Sequence, residues 1–244
     1  MMRAFLHALG FLTRIPVPAR VFGDAGARRG SLPFYPPVGA LIGAVLLGIG
    51  GSLGAAPPLL AAAIVLAAWV MLTGALHLDG LADSADAWVG GLGNREKTLA
   101  IMKDPASGPV GVAAVVLVLL LKFAALASLP PAAWPAVLIA PMLARTWLVL
   151  AFLTTPYVRG GGMGAALADA PRIACWLACA FAMLVAAVAG RPGVVALLAG
   201  LSLFALWRRA VMKRLGGFTG DTAGALAELA EAVMLVAMAL TLAR

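Results

Sequence analysis

Long apolar runs alternate with short polar segments along the whole chain. Seven runs, roughly residues 34–53, 59–76, 110–129, 136–155, 173–189, 194–207 and 222–242, are set apart by turn or charged residues. Most approach the ~20 residues that a helix needs to cross a bilayer. The turns at 55–58 and 130–135 carry no charge, whereas 1–33, 77–108, 156–172 and 208–221 are polar. The pattern predicts an all-α, polytopic transmembrane helical bundle of about seven spans. It forms a single integral membrane domain over residues 1–244, with no separate soluble domain and no internal repeat.

Composition sets the solvent. Of the residues, 63% are hydrophobic and 11% charged, with mean hydropathy +1.03. A soluble domain carries about 25% charged residues, so most of this surface faces lipid. The net charge of +8 is no sign of nucleic acid, because the basic residues fall between apolar runs, where orientation requires them. Fourteen Lys and Arg lie in 1–33, 77–108, 156–172 and 208–221, against two, Arg191 and Arg244, in the opposite set of loops. That bias predicts a cytoplasmic N-terminus and every polar insert on the cytoplasmic side of the inner membrane. Residues 2–11 are expected to lie amphipathically on the membrane surface. The apolar stretch 4–12 is short and meets Arg14, Pro16 and Pro18, unlike a secretory signal. Cys175 and Cys179, four residues apart in an apolar run, read as small packing residues.

Five of the ten acidic residues fall between 77 and 104. In the segment HLDGLADSAD, Asp79, Asp83 and Asp86 recur at i, i+4 and i+7, which places them on one helical face. Like charges so spaced repel, and acids are scarce in this chain. The cluster therefore reads as a cation site. Hard divalent cations take oxygen ligands, and Mg²⁺ uses a few carboxylates plus substrate phosphates. His77 stands beside this group, where an interfacial histidine with satisfied hydrogen bonds is the plainer reading. Lys103 and Asp104 follow. Asp104 either adds an oxygen ligand or caps the helix of the third run.

A second polar centre is Gly216-Gly217-Phe218-Thr219-Gly220-Asp221. A glycine-rich turn at a helix N-terminus suits a phosphate, and Thr219 or Asp221 can open the helix. Arg208, Arg209, Lys213 and Arg214 beside it are mostly explained by orientation. Glu228 and Glu231 then extend a one-sided acidic pattern into the last run, as a second edge facing the first. Arg145 and Glu231 sit at matching depths of roughly 14 Å at 1.5 Å per residue, which pairs them. Lys122 is expected to snorkel towards the far side.

These centres, in this order, resemble the cobalamin synthase family, the adenosylcobinamide-GDP ribazoletransferases. The resemblance spans nearly the whole chain: FLTRIPVP from Phe11, FYPPVGALIG from Phe34, HLDGLADSAD, then Ile101-Met102-Lys103-Asp104, and GGFTGD running to Glu228. It implies that adenosylcobinamide-GDP is joined to α-ribazole or its 5′-phosphate, with release of GMP and a need for Mg²⁺. Asp79, Asp83 and Asp86 match the family's acidic motif and are the catalytic candidates, and on their own chemistry one of them is expected to take a proton from the ribazole 5′-hydroxyl. Metal ligands come from those three with Asp104, Asp221 and Glu228, and phosphate or substrate contacts from His77, Lys103, Arg145, Arg159, Gly217, Thr219 and Gly220. The family commonly carries Ser-Arg after the aspartate matching Asp104. Here Pro105 and Ala106 stand there, and Arg159 or Lys103 is the candidate substitute. The implied partners are the two substrates and membrane lipid, with no nucleic acid; a homo-oligomer is left open.

Two other classes share parts of this pattern. A CDP-alcohol phosphotransferase also uses aspartates at the membrane edge, but its D-G-x-x-A-R motif is absent, since Asp79-Gly80 leads to Ala82-Asp83. A cation-coupled transporter would bury acids for ions, but it would commonly show inverted repeats, and there are none. The orientation is directly testable. A reporter fused after Arg244 is expected to read as extracytoplasmic, and a cytoplasmic reading would overturn the seven-span topology.

Overall fold

The structure is a computed structural model that describes residues 1–160 and 164–242, and only the backbone at 131, 132 and 136. Residues 161–163 of the glycine-rich loop, and Arg244, lie outside the described residues. The helices are α1 (Met2–Leu12), α2 (Ala25–Arg29), α3 (Tyr35–Ser52), α4 (Pro58–Thr73), α5 (Leu76–Gly90), α6 (Arg95–Ile101), α7 (Pro109–Ser128), α8 (Ile139–Thr154), α9 (Arg172–Val188), α10 (Arg191–Leu215) and α11 (Gly220–Leu242). Among the described residues the one β contact is an isolated parallel bridge between Tyr157 and Phe218.

Each predicted apolar run holds a helix: α3, α4, α7, α8, α9, α10 and α11. By length and composition, five can cross a membrane: α3 and α8 with their leading turns, α7, α10 and α11. A sixth crossing forms if α4 and α5, bent by 88°, count as one, and α9 is shorter at 17 residues. Large apolar side chains cover the outside: Leu117 of α7, Phe181 of α9 and Leu198 of α10 are 62%, 69% and 62% exposed. Lipid, not water, is the solvent for such a surface.

The central post is α8, buried at every residue from Ile139 to Val149. Against it lies α3, which approaches through glycines one turn apart. A Cβ at Gly39 would come within 2.4 Å of Pro141 O, and one at Gly43 within 2.5 Å of the Leu138 Cα. Small residues four apart allow this backbone contact, which supplies the packing that hydrophobicity cannot supply inside lipid. Cys175 and Cys179 are free and buried on α9, as small packing residues.

At the end of α4 the chain turns through Gly74 (φ 64°) and Ala75 (φ 57°), both left-handed. Glycine takes this conformation freely, whereas alanine is held there at a cost of roughly 1–2 kcal/mol. The bend swings α5 out of the direction of α4. On α5, Asp79 is exposed and Asp83 and Asp86 are half-buried. Exposed carboxylates cannot face hydrocarbon, so α5 runs along the polar edge, outside the spans.

The basic segment expected as a loop over 208–221 is instead helical as far as Leu215, where Gly216 (φ 74°) ends α10. Its arginines hold other helices by their carbonyl ends. Arg208 donates to Thr154 O (2.9 Å), and Arg214 donates to Trp88 O (2.8 Å). Arg172 donates to Leu153 O (3.0 Å), and Arg95 to Leu215 O (2.8 Å). A helix C-terminus leaves carbonyls without partners and carries partial negative charge, and a guanidinium answers both.

Four charges meet inside the bundle. Glu231 of α11 accepts from Arg145 of α8, the pairing expected from their depths. Lys122 of α7 is not at the far surface. It is 2% exposed and donates to Glu228 (2.5 Å) and Glu231, lying 4.9 Å from the Trp69 ring centre of α4. Two carboxylates buried without water need two cations, and the lysine stem is long enough to reach inward. Two positive and two negative side chains therefore balance. Breaking a buried pair strands a charge and costs about 3–5 kcal/mol. Arg145→Ala and Glu231→Ala are each expected to destabilise by that order in thermal unfolding, and the double variant by clearly less than the sum. Strict additivity would refute the pairing.

Candidate active site

The polar edge is built where α5 crosses the start of α11. A Cβ on Gly80 would lie 2.8 Å from Asp221 O, and one on Gly224 3.1 Å from His77 O. The two backbones touch there, and Asp79 and Asp83 come to the same edge as Asp221. Burial, then the like charges of Asp79, Asp221 and Asp86, push the Asp83 carboxyl up to about 6, against the pull of Arg159. Arg159 donates to Asp221 (2.7 Å), so the one arginine candidate from the glycine-rich loop does reach the acids.

The remaining candidates divide. Asp86 caps α7: its carboxylate accepts from Gly108 N (2.7 Å) and Gly111 N (2.9 Å), which is why both those positions are glycine. That is the capping task expected of Asp104. Asp104 is exposed and accepts from Ala106 N (3.0 Å) in a local turn, and Lys103 beside it is exposed. Glu228 does not face the aspartates, because it is 4% exposed and neutralised by Lys122. Arg145 is likewise committed to Glu231 and is wholly buried. Thr219 opens α11 by accepting from Thr222 N (3.2 Å). Gly217 lies against Pro156 O, in a turn whose Phe218 N–H is already bound to that carbonyl (2.9 Å). The turn thus holds itself to the 156–158 segment, and of its residues Gly220 and Asp221 line the neighbouring cavity. Among the described residues no three His, Cys, Asp or Glu side chains are grouped so as to hold a metal alone. The six expected ligands are not gathered in one place.

A cavity of about 470 Å³ opens at this edge. Asp79, Asp221 and Arg159 stand at its mouth. His77, Tyr35, Leu148 and Phe152 line it further in. Tyr35 stacks on Phe11 (6.2 Å, 25° between planes), and Phe152 on Tyr157 (5.9 Å, 21°). Sequence reasoning placed His77 here but not the aromatic walls. The available signal was that Phe11 and Tyr35 fall within the FLTRIPVP and FYPPVGALIG segments, outside the acidic motifs.

The fold and this site define a polytopic helical membrane protein with an acid-rimmed, aromatic-walled cavity at the edge of its apolar layer. The chain belongs to the cobalamin-5-phosphate synthase family, which matches residues 4–239. It is similar to proteins named adenosylcobinamide-GDP ribazoletransferase. The one from Pseudomonas paraeruginosa is 55% identical over 98% of both chains, and the one from Pseudomonas aeruginosa 54% over 98% of both. The one from Stutzerimonas stutzeri is 50% identical over 100% of both. No solved structure matches the chain.

The two kinds of aspartate separate in a stability measurement. Asp86→Ala is expected to lose about 1–2 kcal/mol, as loss of a helix cap does. Asp83→Ala removes a self-repelling charge and is expected to keep or raise the unfolding temperature.

Proposed function

We propose that the chain joins adenosylcobinamide-GDP to α-ribazole or its 5′-phosphate and releases GMP, the step that assembles the nucleotide loop of cobalamin. The observation that carries this reading is identity of 50–55% over essentially full length to relatives named for that transfer. The site supports it: a carboxylate edge and one arginine at the mouth of a cavity suit a pyrophosphate and a nucleophile. The chain sits in the inner membrane by this reading, with the acidic edge towards the cytoplasm and about seven crossings.

In the transfer, an acceptor oxygen forms a bond to the phosphorus that bears the cobinamide. The bond from that phosphorus to the bridging oxygen breaks, and GMP leaves with the electron pair. The attacking oxygen is a hydroxyl of the ribose ring rather than the 5′-hydroxyl expected from the sequence, because an acceptor carrying a 5′-phosphate has no free 5′-hydroxyl. Asp79, exposed at the mouth, takes its proton as general base. Arg159, held by Asp221, faces the charge that builds on the phosphoryl oxygens.

The donor set fits a divalent cation that is shared with substrate. Asp83 is a carboxyl crowded by like charge, and Mg²⁺ characteristically takes one or two carboxylates and completes its shell with phosphates and water. Asp83 and Asp221 would hold it, leaving Asp79 as the base, and it would neutralise the pyrophosphate and the departing GMP.

Purified protein incubated with adenosylcobinamide-GDP and α-ribazole is expected to release GMP, and to stop when Mg²⁺ is chelated. No GMP would refute the transfer, and transfer without Mg²⁺ would refute the metal. The Asp83 carboxyl gains its proton as pH falls through about 6. Protons then compete with the cation, so Mg²⁺ is expected to raise the unfolding temperature less below that pH than above it.

A further inference from the structure

The cavity is charged at one end only. Its mouth carries Asp79, Asp221 and Arg159, while Tyr35, Leu148 and His77 within it are 2%, 4% and 5% exposed. At about 470 Å³ it falls in the range of pockets that enclose one drug-sized molecule. A nucleoside is of that size, and a corrin ring with its amide side chains is not. A nucleoside also has the matching asymmetry, with a hydroxylated sugar at one end and a flat base at the other.

One inner group is chemically defined by its neighbour. His77 Nδ1 lies 3.4 Å from Arg145 Nη2. A guanidinium only donates, so Nδ1 presents its lone pair and the ring proton sits on Nε2. No hydrogen bond to Nε2 is made among the described residues, and the ring lines the cavity. The buried ion network thus fixes an Nε2–H donor in an aromatic chamber. Arg145 is held in turn by Glu231, and Glu231 by Lys122.

We propose that this chamber seats the base of the acceptor nucleoside and selects a flat, largely apolar heterocycle with one acceptor nitrogen, which receives the Nε2–H of His77. The assignment rests on the transfer reading above and names where its acceptor binds. The base of α-ribazole, a dimethylbenzimidazole, is such a heterocycle: apolar edges, two aromatic faces and one unsubstituted ring nitrogen. The Phe11–Tyr35 and Phe152–Tyr157 stacks supply walls for its faces. Guanine does not suit the chamber. It would bury five polar edge groups, N1–H, the N2 amine, O6, N3 and N7, against few partners, His77 Nε2–H and the unpartnered Tyr35 hydroxyl among them, and a buried polar group left unpaired is costly. The ribose then points to the mouth, where its hydroxyls meet Asp79.

The test uses the full-length protein in detergent, without corrinoid, and three nucleosides: α-ribazole, its indole counterpart with the ring nitrogen replaced by CH, and guanosine. Wild-type protein is expected to bind α-ribazole about tenfold more tightly than the indole nucleoside, the worth of one hydrogen bond, and guanosine is expected not to compete. His77→Leu should reduce the discrimination to less than about twofold. Because that change also touches the ion network, Leu148→Trp provides a second arm that fills the chamber without altering a charge. It should raise the acceptor KM at least ~10-fold and leave the KM for adenosylcobinamide-GDP in place. Competition by guanosine, undiminished discrimination in His77→Leu, or a rise confined to the donor KM in Leu148→Trp would each overturn the assignment. If wild-type protein releases no GMP, the transfer reading fails, while the binding series still decides what the chamber accepts.

Discussion

The fold turns on four charges that have no water to face. Lys122, Arg145, Glu228 and Glu231 come from α7, α8 and α11, and each is at most 4% exposed. Any one of them alone would be intolerable inside an apolar layer. Together they are neutral, but only if three helices hold one register. Trp69 of α4 and His77 of α5 pack on the same centre. Hydrophobic matching between helices is weak in lipid, so this balance of charge does what core burial does in a soluble protein: it makes one arrangement much better than its slipped neighbours. The same centre orients His77 and so reaches the wall of the cavity.

From that centre outward, the acidic edge is a matter of where two helices end. The left-handed pair Gly74 and Ala75 redirects the chain after α4, and Gly80 and Gly224 let α5 lie directly on α11. Asp86 then fastens the far end of α5 to the first turn of α7. Three aspartates on one helical face are thereby given different work. Asp86 is structural, Asp79 joins Asp221 and Arg159 at the mouth of the cavity, and Asp83 feels their charge from the same edge.

Much of this was legible in the sequence. Apolar runs alone located α3, α4 and α7 to α11, since lipid leaves the backbone no choice but to satisfy itself within each segment. Depth counting paired Arg145 with Glu231, because a helix converts residue number directly into height. The same counting failed for Lys122, whose flexible stem separates the charge from the backbone that carries it. It failed for Glu228 too, since periodicity gives a face but not the partner waiting on it. Asp86 took the capping task that was one of the two roles expected of Asp104, because a cap is decided by which loop folds back, a three-dimensional fact. Most of the aromatic chamber was hidden for a related reason: Leu148 and Phe152 resemble any other apolar residues of a span until their helices are assembled.

The arginines at the helix ends have a consequence for how the chain can vary. Arg95, Arg172, Arg208 and Arg214 belong to the charge bias that orients the chain, and each also grips the carbonyl end of a neighbouring helix. Insertion into the membrane reads only the sign of the charge, so lysine would serve equally there. Tertiary assembly reads the planar fork as well, and Arg214 uses it to hold Trp88 O and Thr98 Oγ1 together. A substitution invisible to topology can therefore still be a lesion of the finished protein, and the two histories of one side chain, threading and docking, need not tolerate the same replacements.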